Sequence, residues 1–241
     1  MALLGRPERR MAHRPDHAEF SHDRLGPGFE DLLDEYDTQR RLEVLTEEFL
    51  TRKDLDHMLA LDAECGSGRG SLGLHQFGAR VIACDLGYSL ARYTHQRSST
   101  ATLTGSILEL PFRDGTFNIV LSSEAIEHTP YPIAAVKELY RVLAPAGHLV
   151  LSTPNRLWQL PVRAASALKL RPYAALENFL WPTELRRALL TLGAEVVEHT
   201  GIHLLPFQLR TIHRFLRWAD RYGQTLLPLM INQCIHCVKP L

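Results

Sequence analysis

Two carboxylates and an imidazole stand together in Glu124-x-x-Glu127-His128, directly after the apolar run 117–122. Such a set can do two kinds of chemistry. A neutral histidine can take the proton of a hydroxyl that is becoming a nucleophile, which suits a phenol that ionises near about pH 10. Two carboxylates with an imidazole can instead hold Mg²⁺ by mainly oxygen ligation, or Zn²⁺ where a fourth ligand suits. A bound cation would serve a sugar hydroxyl, which is far less acidic. A third reading gives Glu124 and Glu127 no chemistry at all, only backbone bonds that cap the next helix.

A second cluster lies upstream in Leu61-Asp62-Ala63-Glu64-Cys65-Gly66-Ser67-Gly68-Arg69-Gly70-Ser71-Leu72-Gly73. Gly68-x-Gly70-x-x-Gly73 matches the dinucleotide fingerprint literally. Glu64-x-Gly66-x-Gly68-x-Gly70 puts an acid ahead of alternating glycines, and the acid separates the two readings. A dinucleotide lays its pyrophosphate on a helix N-terminus, where a carboxylate at the strand end opposes it. S-adenosylmethionine has no phosphate and carries an ammonium and a sulfonium, so Glu64 favours its cationic end. The glycines let the backbone pass close to the ligand. Asp85 closes Val81-Ile82-Ala83-Cys84-Asp85, where an acid commonly accepts from ribose hydroxyls; it supports a nucleoside without choosing the cofactor. The alternative for Asp85 is an N-cap for the helix at Ser89.

These residues need a frame that brings strand ends together. The chain has 241 residues with 45% apolar residues, enough for one α/β domain. Strands are expected at 59–63, 80–85, 101–103, 117–122, 148–152, 194–199 and 232–238. Helices are expected over 32–50, 89–97, 133–142, from Thr183 and around 207–222, with turns at Asp114-Gly115 and Ala146-Gly147. The alternation predicts parallel pairing of the first five strands and an antiparallel pair at the end. Residues 1–28 read as a mobile arm without a signal-peptide core, 29–241 as the domain, and 156–181 as a helical insertion. No apolar run reaches membrane-spanning length, so a cytoplasmic protein is expected. Lys plus Arg (27) equals Asp plus Glu (27), which leaves no excess charge for nucleic-acid phosphates. Four cysteines read as thiols, and Cys234-x-x-Cys237 in a strand points its two sulfurs to opposite faces.

The order of four motifs resembles class I S-adenosylmethionine-dependent methyltransferases, in particular the ubiquinone-biosynthesis O-methyltransferases. They are the Glu64–Gly70 loop, the stretch 104–118 (TGSILELPFRDGTFN), the run from Glu124-Ala125-Ile126-Glu127-His128 through Lys137-Glu138-Leu139-Tyr140-Arg141-Val142-Leu143, and Ser152-Thr153-Pro154-Asn155. The resemblance covers roughly 30–200. It implies an α/β, Rossmann-like, seven-stranded, mostly parallel sheet with helices on both faces and an acceptor lid over 156–181. It also implies S-adenosyl-L-methionine held by Tyr36, Glu64, Gly66, Ser67, Gly68, Asp85, Leu86, Ser106, Ile107 and Ser123. Tyr36 resembles a lid tyrosine. Ser106 departs from the acid usual at that point and is a weaker acceptor for the adenine amino group.

In one branch of the superfamily the E-x-x-E-H run ligates a metal; in others the histidine alone is a base. The resemblance therefore makes His128 and Glu127 candidate catalytic residues, and Glu124, Glu127 and His128 a candidate Mg²⁺ site. Where metal-using relatives carry a further histidine this chain has Glu177 or Asn178, oxygen donors that lean toward Mg²⁺ over Zn²⁺.

For the acceptor, 156–181 brings Trp158, Tyr173, Phe179 and Trp181 beside Arg156, Arg163, Lys169 and Arg171, a composition that suits a sugar or an aromatic alcohol. Around 207–222, Arg210, Arg214, Arg217 and Arg221 share one helical face, with Ile212, Phe215, Leu216 and Ala219 largely opposite. That face is either simply solvated or meets an anionic acceptor, a lipid headgroup or a partner subunit, a second copy included. The expected activity is O-methylation of a small molecule (a saccharide, a glycolipid precursor or a phenolic metabolite), with N- or C-methylation or cofactor binding without turnover as alternatives. No nucleic-acid partner is expected.

Overall fold

The computed structural model describes residues 28, 30–50, 55–168 and 176–241. The arm expected over 1–28 lies outside them apart from Gly28, as do Lys169, Arg171, Pro172 and Tyr173 of the insertion.

Short apolar runs with both faces buried become the central strands, as parallel sheets covered by helices require. β1 (Leu59–Ala63), β2 (Arg80–Asp85), β3 (Ala101–Thr104), β4 (Phe117–Ser123) and β5 (Leu143–Pro154) pair in parallel. β6 (Glu195–Ile202) and β7 (Asn232–Val238) complete a seven-stranded sheet of order β3-β2-β1-β4-β5-β7-β6, with β7 antiparallel to both neighbours. This is the Rossmann-like, mostly parallel sheet expected. β5 begins earlier than its apolar run does. Its Ala146–Gly147 turn falls inside the strand, where pairing with β4 jumps from Phe117–Leu143 to Ile119–His148.

Alternate residues of one strand feed two cores. Ala60, Ile119, Leu121, Val150 and Cys234 pack with Val44, Leu45 and Leu74 on one face. Leu61, Val120, Leu149, Leu151 and Cys237 pack with Phe112, Leu139 and Leu185 on the other. Cys234 and Cys237 thus serve opposite cores as buried free thiols. Each fully buried leucine contributes on the order of 2 kcal/mol.

The covering helices are α1 (Glu35–Leu42), which runs on into a π-helical turn over Glu43–Glu48, α2 (Arg69–Gln76), α3 (Tyr88–Ser98), α4 (Pro132–Val142), α5 (Gln159–Ala167), α6 (Pro182–Thr191), α7 (His213–Asp220) and α8 (Gly223–Leu226). α4 shows how sequence selects them. Pro132 presets its first turn, and Ala135, Val136, Leu139 and Val142 fall on one buried face while Lys137 and Glu138 stay off it. The helix ends where Leu143 turns to extended backbone and starts β5. Among the described residues no helix is long and apolar enough to cross a membrane.

The single helix expected around 207–222 is divided into a 3₁₀ turn (Arg210–Ile212) and α7. α8 starts just past the expected helix, at Gly223, and packs tightly there: a Cβ would sit 2.3 Å from both the Gly201 carbonyl oxygen and Thr200 Oγ1. α8 can lie on β6 only without that atom. Replacing Gly223 by alanine should therefore cost about 1–3 kcal/mol in urea denaturation; an unchanged midpoint would show that α8 is not seated on β6 as described.

Candidate functional site

Strand order reverses between β1 and β4, so the loops leaving their carboxyl ends diverge and open a crevice. A cavity of about 820 Å³ occupies it, within the range of small-molecule and cofactor sites. The β1 loop lines it with Glu64, Cys65, Gly66 and Ser67, the β2 loop with Asp85, Leu86 and Gly87, and the β3 loop with Ser106 and Ile107. The β4 loop adds Ser123, Glu124, Glu127 and His128. α1 contributes Asp37, Thr38 and Arg41, and α5 contributes Pro161, Val162 and Ala165.

On the β1–β3 side, the Asp85 carboxylate accepts from Gly66 N at 2.9 Å and Gly87 N at 2.8 Å, which ties the first two loops together. It is not the cap of α3, whose N-cap is Gly87. Glu64 has a left-handed backbone (φ 60°), costly for a residue with a Cβ by roughly 1–2 kcal/mol, and its Oε2 lies 3.4 Å from Leu86 N. Strain of this kind concentrates at functional sites. Gly68 does not line the cavity. It N-caps α2 at φ 78°, where a Cβ would press on Thr94 at 3.0 Å. Ser106 Oγ accepts from Leu108 N at 3.2 Å and so stabilises its own turn.

Asp62 was legible only as part of β1, yet it lines the same cavity. It is buried, and Ser71 Oγ in the first turn of α2 donates to it at 2.7 Å. Burial outweighs that bond and pushes its pKa up to about 6. The one signal was an acid inside an otherwise apolar strand just before the glycines.

On the β4 side, Glu124 also has a left-handed backbone (φ 53°), and its N–H donates to the Ser152 carbonyl at 3.1 Å. Glu127 accepts from Thr153 Oγ1 at 2.9 Å and is buried. Burial raises the carboxyl pKa of both glutamates, with Arg41 acting against it. His128 Nδ1 lies 2.8 Å from the Leu176 carbonyl oxygen. A carbonyl only accepts, so Nδ1 carries a proton, and the neutral form of the ring is the tautomer with its lone pair on Nε2.

Two expectations are corrected. Glu124, Glu127 and His128 do not come together as a Mg²⁺ site: a guanidinium already stands at the first carboxylate, with Glu124 Oε2 3.3 Å from Arg41 Nη1, and Glu127 is buried against Thr153 Oγ1. Among the described residues no three His, Cys, Asp or Glu side chains converge as a metal needs. Of the two residues offered as a fourth ligand, Glu177 lines the cavity, and Asn178 donates from Nδ2 to the Thr129 carbonyl at 2.8 Å. Tyr36 is not a wall of the cavity. Its ring stacks on His213 at 3.6 Å and its hydroxyl donates to the His213 carbonyl, because helical geometry turns Asp37 and Arg41, a pair four residues apart, to the cavity instead.

The family described as "Methyltransferase domain" matches residues 61–151. A Mycolicibacterium smegmatis protein described as an S-adenosylmethionine-dependent methyltransferase is 34% identical over 145 residues, covering 59% of this chain and 54% of that protein. The chain therefore spans about half the length of that relative. The ubiquinone biosynthesis O-methyltransferase of Marinobacter nauticus is 32% identical over 162 residues, covering 61% of this chain and 68% of that protein. The chain belongs to the class I S-adenosylmethionine-dependent methyltransferases. Its fold matches the magnesium protoporphyrin IX methyltransferase of Synechocystis PCC 6803, solved with S-adenosylhomocysteine bound, at a TM-score of 0.63 and 17% identity over 88% of this chain and 87% of that one.

Further features of the methyltransferase lie around this cavity. Trp158, in the 3₁₀ turn Arg156–Trp158 ahead of α5, lines it with Phe179, and its indole N–H donates to the Leu229 carbonyl at 3.0 Å. Trp181 is exposed. On α7, Leu216 and Ala219 are buried but Phe215 is exposed and clusters with Trp218 and Tyr222. Arg217 is turned back to Glu43, so the arginine row is not uniformly directed to solvent.

Asp62 makes stability depend on pH. The folded state binds its proton more tightly than the unfolded chain, whose carboxyl ionises near 3.8. Its stabilising contribution is complete below about pH 4 and is lost as pH rises to about 6, a change on the order of 3 kcal/mol. Urea denaturation at pH 4 and pH 7 should show a smaller loss in Asp62→Asn than in the parent protein; equal losses would mean Asp62 is not protonated in the fold.

Proposed function

We propose that this methyltransferase transfers the methyl group of S-adenosylmethionine to a hydroxyl of a small molecule, a saccharide or glycolipid precursor or a phenolic metabolite, with His128 as general base. Glu64, Gly66 and Ser67 would hold the methionyl end, with Gly68 shaping their loop from outside the cavity, Asp85 and Leu86 the ribose, Ser106 and Ile107 the adenine side, and Ser123 the neighbourhood of the sulfonium. Tyr36 acts on this arrangement at most through its neighbour Asp37. The acceptor would enter beneath α5, which on this reading is part of a lid over 156–181 in a single domain spanning 29–241.

One observation carries the reading: the hydrogen bond from His128 Nδ1 to the Leu176 carbonyl fixes the tautomer whose Nε2 is basic, on a ring that lines the same cavity as Asp85. In the step itself the acceptor oxygen forms a bond to the methyl carbon as the carbon–sulfur bond breaks. The bonding pair stays on sulfur, giving S-adenosylhomocysteine, and the hydroxyl proton goes to His128 Nε2. In-line displacement needs little beyond this, because the sulfonium is already an activated leaving group and the protein contributes mainly positioning. The likeness to ubiquinone biosynthesis O-methyltransferases supports oxygen as the acceptor atom.

A second reading, transfer to nitrogen, rests on the lining. Asp34, Asp37, Asp62, Glu64, Asp85, Glu124, Glu127 and Glu177 face the cavity against Arg41 and Arg69, which would favour an amine.

Calorimetry should show micromolar binding of S-adenosylmethionine and S-adenosylhomocysteine, none of NAD, and a loss of about tenfold or more in Asp85→Asn. His128→Ala should lower kcat by about 10²–10⁴-fold with S-adenosylhomocysteine affinity unchanged. Undiminished turnover in His128→Ala would remove the base and favour nitrogen transfer; binding of NAD alone would overturn the whole reading.

A further inference from the structure

Arg41 stands where the chemistry of the β4 loop calls for a cation. Its side chain is 9% exposed and lines the cavity. Nη1 is 3.0 Å from Asp37 Oδ2, four residues back on α1, and 3.3 Å from Glu124 Oε2. Asp37 is fixed in turn by Asn232 Nδ2 at 2.9 Å and lies 3.1 Å from His203 Nε2. One helical turn of α1 is also anchored from outside, because Arg40 Nε reaches Asp220 of α7 at 3.0 Å. The guanidinium is therefore held in place by both ends of its helix face. Two buried atoms of this group, Arg41 Nε and Glu124 Oε1, have no hydrogen-bond partner in the protein, as expected of polar atoms that a bound molecule would satisfy.

A divalent cation drawn to Glu124 would have to displace this guanidinium or sit beside a fixed like charge. The two cations differ chemically. A metal ion ionises a hydroxyl bound to it, including a weakly acidic one. A guanidinium is a diffuse, permanently protonated donor that orients an oxygen by hydrogen bonds but cannot ionise an alcohol on its own. With Arg41 in the site, the acceptor hydroxyl must be acidic enough for an imidazole alone, which a phenol or an enol is and a sugar hydroxyl is not. The apolar part of the lining agrees: Leu33, Trp158, Pro161, Val162, Phe179 and Phe207 offer surface on which a flat ring can pack.

We propose that Arg41 takes the place of the divalent metal in this E-x-x-E-H site, so that methyl transfer is metal-independent and the acceptor is a phenolic or enolic hydroxyl. Glu124 and Asp37 hold the guanidinium at Nη1, Thr38 Oγ1 accepts from Nη2 at 3.4 Å, and the unpartnered Nε is the donor left for the acceptor oxygen. The choice of acceptor rests on the hydroxyl-transfer reading above; the replacement of the metal does not.

The test uses the full chain with S-adenosylhomocysteine bound, titrated with Mn²⁺ and followed by electron paramagnetic resonance. The parent protein should bind no Mn²⁺ at millimolar concentration. Arg41→Met, which keeps length and removes charge, leaves Glu124 and Asp37 without their cation and should gain one bound Mn²⁺, lost again when Glu124→Gln is added. Stoichiometric Mn²⁺ in the parent protein that Glu124→Gln abolishes would overturn the proposal, as would a folded Arg41→Met that binds none. If Arg41→Met does not fold, the parent titration decides alone. In an acceptor screen, phenols should be methylated equally with and without EDTA and sugar alcohols not at all; methylated sugars would overturn the acceptor half. S-adenosylhomocysteine binding, measured on every variant, keeps a failed cofactor reading distinct from a failed role for Arg41.

Discussion

A guanidinium keeps its proton in a protein, so Arg41, once buried, has to be paired. Its partners come from two parts of the chain, Asp37 on α1 and Glu124 at the end of β4. That pairing fastens the first helix across the mouth of the crevice. Burial works against the charge on Asp37, and Arg41, His203 and Asn232 outweigh it, so its pKa is lowered and the carboxylate stays ionised. Removing either acid would leave a buried cation unbalanced, a loss felt in the position of α1 as well as in the local contact. The roof of the cavity and its electrostatics are thus one arrangement.

Beneath the roof, the sheet supplies the geometry. Reversal of strand order between β1 and β4 leaves a gap at their carboxyl ends, and each of those ends turns on a glutamate with left-handed backbone, Glu64 and Glu124. Glycine would take that conformation without strain. At such a residue the backbone itself sets the direction in which the side chain leaves the loop, and both glutamates line the cavity. Asp85 and Asp62 then brace the loops from behind, one through Gly66 and Gly87, the other through Ser71.

The sheet was readable because parallel strands covered on both faces appear as short uninterrupted apolar runs, and β1, β2 and β7 have the bounds expected of them. The loops that line the cavity were readable for a related reason: they follow those runs directly. What could not be read were contacts between distant segments. Nothing local to Arg41 announces Glu124, so the E-x-x-E-H residues looked available to a metal, and the choice between Tyr36 and Asp37 depended on how α1 is rotated against α7. The same limit applies to Gly223, whose close packing of α8 on β6 depends on a contact with Thr200 and Gly201 that nothing local announces.

The carboxylates around the cavity are matched to the charge of what must come and go. S-adenosylmethionine arrives with a positive sulfur, and its product has a neutral thioether. Asp62, Glu124 and Glu127 all have raised pKa values because burial penalises their charge. A cation brought close favours their ionised forms, so binding the sulfonium and releasing protons to solvent are linked processes. Once the methyl group has moved, that positive charge is gone from sulfur, and the same carboxyls again favour their neutral forms. Arg41 works in the same direction as the sulfonium: its permanent positive charge beside Glu124 favours the ionised carboxylate against the burial that raises its pKa, whichever form of the cofactor is present.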